Sequence, residues 1–187
     1  MANKKISELA AVSSLALADL LAVVQGGVTL KATLQQLADL IFPASYGSVF
    51  ISSAAATTLA AGVPAKVAGT TAFSSAISSP NFDDDSGVSN RLRYTGTVTR
   101  DFFVEICVSM TSGSNNQDLT FYLAKGGVID AETKIFRKIG TGSDQGAMPL
   151  CGPVNLAQNE FVELWIENSQ ANAVTVTAMV MGIERMH

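Results

Sequence analysis

From Tyr46 to the C-terminus, apolar and polar positions alternate with a period of two, broken at short intervals by Gly, Ser and Asn. That pattern predicts strands over 47–52, 63–68, 91–95, 98–110, 119–124, 134–139, 148–156, 161–167 and 174–183, spaced as in a two-sheet sandwich. Within them Phe102, Val104, Ile106, Val108 and Met110 fall on one face, and Phe103, Glu105, Cys107 and Ser109 on the other. Val162, Leu164 and Ile166 likewise oppose Phe161, Glu163, Trp165 and Glu167. The last strand is apolar on both faces under strict alternation. Val174, Val176, Ala178 and Val180 would share one, and Met179, Met181 and Ile183 the other. A strand covered on both sides implies a core on one and a neighbouring subunit on the other, so Met179, Met181 and Ile183 are the expected subunit contacts.

The first 42 residues follow a different rule. Ile6, Leu9, Val12, Leu15 and Leu17 have a mixed period that fits an extended arm or a short helix equally. Leu20 to Gln25 is an apolar run containing Leu20 and Val23, Gly26-Gly27 tolerates positive φ, and Val28 to Ala32 resumes extended character. Together they predict a hairpin over 20–32. Thr33 and Gln36 form a capping box for a helix over 34–41, whose Leu34, Leu37, Ala38 and Ile41 share a face before Pro43 stops it. So small a unit cannot bury its apolar face alone. Residues 1–42 are therefore expected to be a docking arm and 43–187 a separate β domain, with Ile6, Leu9, Leu20, Val23, Gly26, Gly27, Leu34, Leu37 and Ile41 carrying the contacts.

The arm, with Lys5-Ile-Ser-Glu-Leu9 and the segment from Asp19 to Ile41, resembles the N-terminal arms of bacteriophage virion proteins that attach fibres, spikes or decoration proteins to a particle. The β region resembles the jelly rolls of the tumour-necrosis-factor and complement globular-head type carried by phage proteins. The pieces that carry this are Tyr46-Gly47, Val67-Ala-Gly-Thr-Thr71, Asn90-Arg-Leu-Arg-Tyr-Thr-Gly96, Arg100-Asp-Phe-Phe-Val104, Leu119-Thr-Phe-Tyr-Leu-Ala-Lys125, Val154 to Leu164 and the terminal strand. The resemblance implies an antiparallel jelly-roll sandwich, preceded by the hairpin-plus-helix arm and assembled as a homotrimer about a threefold axis near Met179, Met181 and Ile183.

Composition sharpens this reading. Hydrophobic residues make up 48% and charged residues 15%, the latter below the roughly 25% of ordinary globular domains, which points to apolar surface in subunit contacts. A net charge of -4 with unclustered Lys and Arg gives no counterion-release drive toward nucleic acid. Lys4-Lys5, the apolar run from Leu9 to Leu17 and Ala16-Leu17-Ala18 imitate a secretory signal, but Glu8 and Ser13-Ser14 break the pattern. The uncharged stretch from Leu40 to Ala65 is interrupted by Pro43, Gly47, Gly62 and Pro64, so no membrane insertion is expected. Two cysteines on strands, Cys107 and Cys151, fit buried thiols of a protein made in the host cytoplasm rather than a disulfide framework.

The sequence offers little catalytic chemistry. The single histidine, His187, ends the chain, where a hydrolytic triad would rest on a fraying terminus. Asp83-Asp-Asp85 with Asn81 and Ser86 is rich in oxygen, yet Gly87 occupies a ligand position of the calcium-loop spacing and no late Glu follows. Gly140-Thr-Gly142-Ser-Asp-Gln-Gly146 misplaces the third Gly of a dinucleotide fingerprint and precedes no helix. No cofactor or metal is implied. Trp165 and Tyr122 can present a sugar-stacking surface, although burial in core or interface is the default for lone aromatics on strands. The expectation is a non-enzymatic virion structural protein, docked to a phage capsid, neck or tail protein as decoration, head spike or short fibre. A host-receptor glycan-binding module of a tail fibre is the second class of function.

Overall fold

The computed structural model describes residues 20–25, 28–33, 45–74, 78, 81–140 and 144–186. The chain divides into two compact units, Met1–Ala44 and Ser45–His187. In the first, β1 (Leu20–Gln25) and β2 (Val28–Thr33) pair antiparallel, with Gln25 opposite Val28 and Leu20 opposite Thr33. Gly26, Gly27 and the helix expected over 34–41 lie outside the described residues, as do Ile6 and Leu9.

The second unit is mainly β, a sandwich of two sheets whose strand pairing is antiparallel. Its strands are β3 (Tyr46–Ala54), β4 (Ala56–Thr57), β5 (Ala65–Lys66), β6 (Gly69–Phe73), β7 (Phe82–Asp83), β8 (Arg91–Tyr94), β9 (Arg100–Ser112), β10 (Gln117–Lys125), β11 (Val128–Ile129), β12 (Ile135–Ile139), β13 (Gln145–Leu156), β14 (Phe161–Asn168) and β15 (Val174–Arg185). One sheet runs β13-β9-β15-β3-β6, with β4 beside β15. The other runs β11-β10-β14-β8-β7, with β12 on β10 and β5 on β14. Sequential strands pass between sheets and return beside earlier ones, so the first strand of the domain, β3, lies against the last, β15. Of the segment expected as a strand over 63–68, only Ala65 and Lys66 form one, on β14, and the Val67 amide adds a bond to the Leu164 carbonyl at 3.0 Å.

Between the sheets, the alternating positions interlock. Phe102, Val104, Ile106 and Met110 from one sheet meet Phe121, Leu123, Val162, Leu164 and Ile166 from the other, all fully buried. Phe82, Tyr94 and Phe102 form an aromatic trio with centroids 4.9–5.3 Å apart. The Tyr94 hydroxyl donates to the Val98 carbonyl at 2.8 Å, which satisfies the one polar atom of the group.

Strand β15 departs from strict alternation, and this corrects the subunit-contact assignment. Its register against β9 slips between Val176 and Ala178, leaving Thr177 as the extra residue of a bulge. One inserted residue swaps faces, so Val174 and Val176 before it and Met179, Met181 and Ile183 after it all point into the core, each at most 2% exposed. Met179, Met181 and Ile183 are thus core side chains of a single protomer. Ala178 and Val180 are among the outward positions of β15, the latter 52% exposed.

Candidate assembly surface

The two outer faces of the sandwich differ in chemistry. On the six-stranded sheet, the registers place Pro149 of β13 opposite Cys107 of β9, Cys107 opposite Val180 of β15, Val180 opposite Phe50 of β3, and Phe50 opposite Ala72 of β6. This is a continuous row of small and apolar side chains across five strands. A second row, Ala147–Ser109–Ala178, flanks it. Between them a shallow trough of ≈ 560 Å³ opens to solvent, and none of its lining side chains is charged. Phe50 is 40% exposed, a large apolar ring left facing water in the single chain. Charge begins only at the flank, with Glu105, Glu184 and Asp101.

Both cysteines lie on this face. Cys107 and Cys151 occupy adjacent strands of one sheet, both free and exposed. Burial was the expectation from their apolar neighbours. The outer side of the sheet is itself apolar, so an apolar neighbourhood did not distinguish inside from outside.

The outer face of the seven-stranded sheet is held by ions. Glu163, only 2% exposed, accepts from Arg91 Nε at 3.1 Å and Nη2 at 2.9 Å, while its second oxygen accepts from Trp165 Nε1 at 3.1 Å. Lys66 stands 3.4 Å away. Arg91 also reaches Asp85 at 2.6 Å and stacks over Phe161 with its carbon 3.5 Å from the ring centroid. Arg93 grips Asp83 with Nε at 2.9 Å and Nη2 at 2.7 Å and pairs with Asp85 as well. The Arg93 guanidinium holds the Asp83 carboxyl below the ordinary carboxylate range, against the opposing effect of burial.

The oxygen-rich Asp83–Asp85 loop therefore serves as the counter-charge of two arginines on β8. Its Asp85 and Ser86 sit at φ 52° and 60°, and the Asp85 amide donates to Asp83 Oδ1 at 2.9 Å to fix the turn. Arg91 and Arg93, two apart on one strand, were the sequence signal for this pairing. Their acidic partners became recognisable only once β7 was placed beside β8. No group of three or more metal-ligating side chains occurs among the described residues.

Of the expected docking residues, Leu20 and Val23 lie on β1, and the remaining ones fall outside the described residues. Trp165 and Tyr122, expected in core or interface, lie outside the core and stand directly opposite each other on the outer face of the seven-stranded sheet, half-buried.

No family model matches the chain, and neither does any curated protein. Among solved structures, a crystal structure of murine APRIL at pH 5.0 matches 76% of this chain and 100% of its own, at 10% identity and a TM-score of 0.50. The β domain shares the fold of that structure, an antiparallel jelly-roll sandwich. A structure of Eiger TNF from S. frugiperda covers 77% of this chain and 93% of its own at 8% identity, with a TM-score of 0.48. At such identities the likeness is one of fold.

Proposed function

We propose that this chain is a non-enzymatic structural protein of a bacteriophage particle. It assembles as a homotrimer through the outer face of its six-stranded sheet, docks to a capsid, neck or tail protein by its N-terminal unit, and displays the jelly roll on the virion. The observation that carries this reading is the Pro149–Cys107–Val180–Phe50–Ala72 row. An uncharged band continuous over five strands, on a molecule whose opposite face is dense with ion pairs, is the distribution expected when one face meets protein and the other meets water.

A homotrimer is the assembly favoured for this fold by the family resemblance of the β region. The virion setting rests on the resemblance of the first 42 residues to phage docking arms, and the division into Met1–Ala44 and Ser45–His187 fits an arm that acts apart from the displayed domain. The test is cosedimentation with particles that lack the native copy. Full-length protein should pellet with them, and protein lacking residues 1–42 should stay in the supernatant while keeping its β circular dichroism. Binding of the truncated form at full strength would move the docking surface onto the jelly roll.

A further inference from the structure

The outer face of the seven-stranded sheet carries three aromatic side chains in a line across three neighbouring strands. Phe136 of β12 stands opposite Thr120 of β10, Tyr122 is two residues further along β10 on the same face, and Trp165 of β14 is directly opposite Tyr122. Phe136 is 70% exposed, and Tyr122 and Trp165 are each partly open to solvent. Acidic groups hold the polar ends of the two inner rings. The Tyr122 hydroxyl donates to Glu167 Oε2 at 2.7 Å, and Trp165 Nε1 donates to Glu163 Oε2 at 3.1 Å. Burial, and then the Glu167 carboxylate, push the Tyr122 hydroxyl above its ordinary pKa, so it stays a proton donor across the neutral range.

We infer that this aromatic line is a binding surface for an uncharged oligosaccharide. Ring faces carry a negative quadrupole that attracts the polarised C–H groups of a pyranose, and the neighbouring Glu167 carboxylate, partly open to solvent, accepts from sugar hydroxyls. Rings already held by their polar ends lose little freedom on binding. The charges of this face are offset locally, with Asp118 beside Lys138 at 3.7 Å, Glu163 against Arg91 and Lys66, and Asp83 and Asp85 against Arg93. No one-signed field is left to draw a polyanion or a polycation, which favours a neutral ligand. This inference rests on the displayed position of the jelly roll, since the line lies on the sheet the proposed trimer leaves free.

Trp165 is the only tryptophan of the chain, so its emission reports on the site directly. The test titrates full-length protein with soluble neutral oligosaccharides of the gluco-, galacto-, manno- and N-acetylglucosamine series. One series should shift Trp165 emission saturably, and Tyr122→Ala should weaken that binding at least about tenfold, as loss of an aromatic anchor does. Light scattering on the same samples reads the trimer independently. A trimer whose emission answers none of the four series would overturn the inference while leaving the assembly reading intact. A response unchanged in both Tyr122→Ala and Phe136→Ala would place any sugar elsewhere and overturn it equally.

Discussion

Replacing Glu163 by leucine isolates the ion-pair network from the apolar core beneath it. The side chains are similar in volume, so the change removes a carboxylate and opens little space. That carboxylate, 2% exposed, holds Arg91, Lys66 and the Trp165 indole at once. Removing one partner of a buried pair costs about 3–5 kcal/mol when the remaining charge stays dry. Here Arg91 is 20% and Lys66 32% exposed, and Arg91 keeps Asp85 at 2.6 Å, so both cations recover part of their hydration. The expected cost is therefore about 2–3 kcal/mol. At roughly 3 °C per kcal/mol for a domain of this size, the midpoint should fall by about 6–9 °C. Thermal unfolding followed by circular dichroism checks this, with protein concentration fixed because assembly adds to apparent stability. Pairing the change with Arg91→Leu should cost less than the two single changes added together, because each leaves a charge that the other removes. A loss under about 0.5 kcal/mol for Glu163→Leu, the range of ordinary surface substitutions, would refute a structural role for the network.

Three further outcomes follow from particular sites. Gly47→Ala should destabilise by about 1–3 kcal/mol in urea unfolding, because a Cβ there would lie 2.6 Å from Phe82 Cγ, in a ring locked against Tyr94 and Phe102. Acid titration of stability should show a carboxylate contribution. Asp83 is held by Arg93 below its unfolded pKa, so its stabilisation is present above the unfolded value of about 3.9 and is lost as pH falls through the lower folded one; Asp83→Asn should flatten that limb of the pH curve measured by thermal unfolding. Cys107, exposed in the single chain, should react slowly with a maleimide in the native assembly and quickly after dissociation in denaturant, and equal rates would place it outside any interface.

The long strands were legible because alternation over eight or more residues leaves only one way to bury an apolar set, as in β9 and β14. Strands of two residues, such as β4, β7 and β11, are too short for a period to register, and they exist only because a longer neighbour offers its edge. The β15 bulge shows how much one residue matters. Thr177 donates from its hydroxyl to the Ser109 carbonyl at 3.1 Å, and this single insertion turns what reads as two apolar faces into one core face and one surface face. The assembly surface was present in the sequence as Cys107, Pro149, Val180 and Phe50, residues far apart along the chain whose alignment depends on three pairing registers. Glu163 was placed on the correct face, but its burial depends on Arg91, Lys66 and Trp165 gathering around it. The Asp83–Asp85 cluster read only as an oxygen-rich loop that misses the calcium spacing, and its role as counter-charge was hidden because its arginines belong to the next strand.

Whether the uncharged face of the six-stranded sheet joins three copies is decided most directly by light scattering on the full-length protein and its Val180→Asp variant. Val180 is 52% exposed in the single chain, so aspartate there leaves the protomer fold intact, while in an interface it would be a desolvated, unpaired charge. The account predicts a wild-type mass three times the 19.5 kDa of the chain, and a variant that shifts to the single-chain mass with unchanged circular dichroism. A monomeric wild-type protein, or a Val180→Asp trimer as stable to dilution as the wild type, would contradict it.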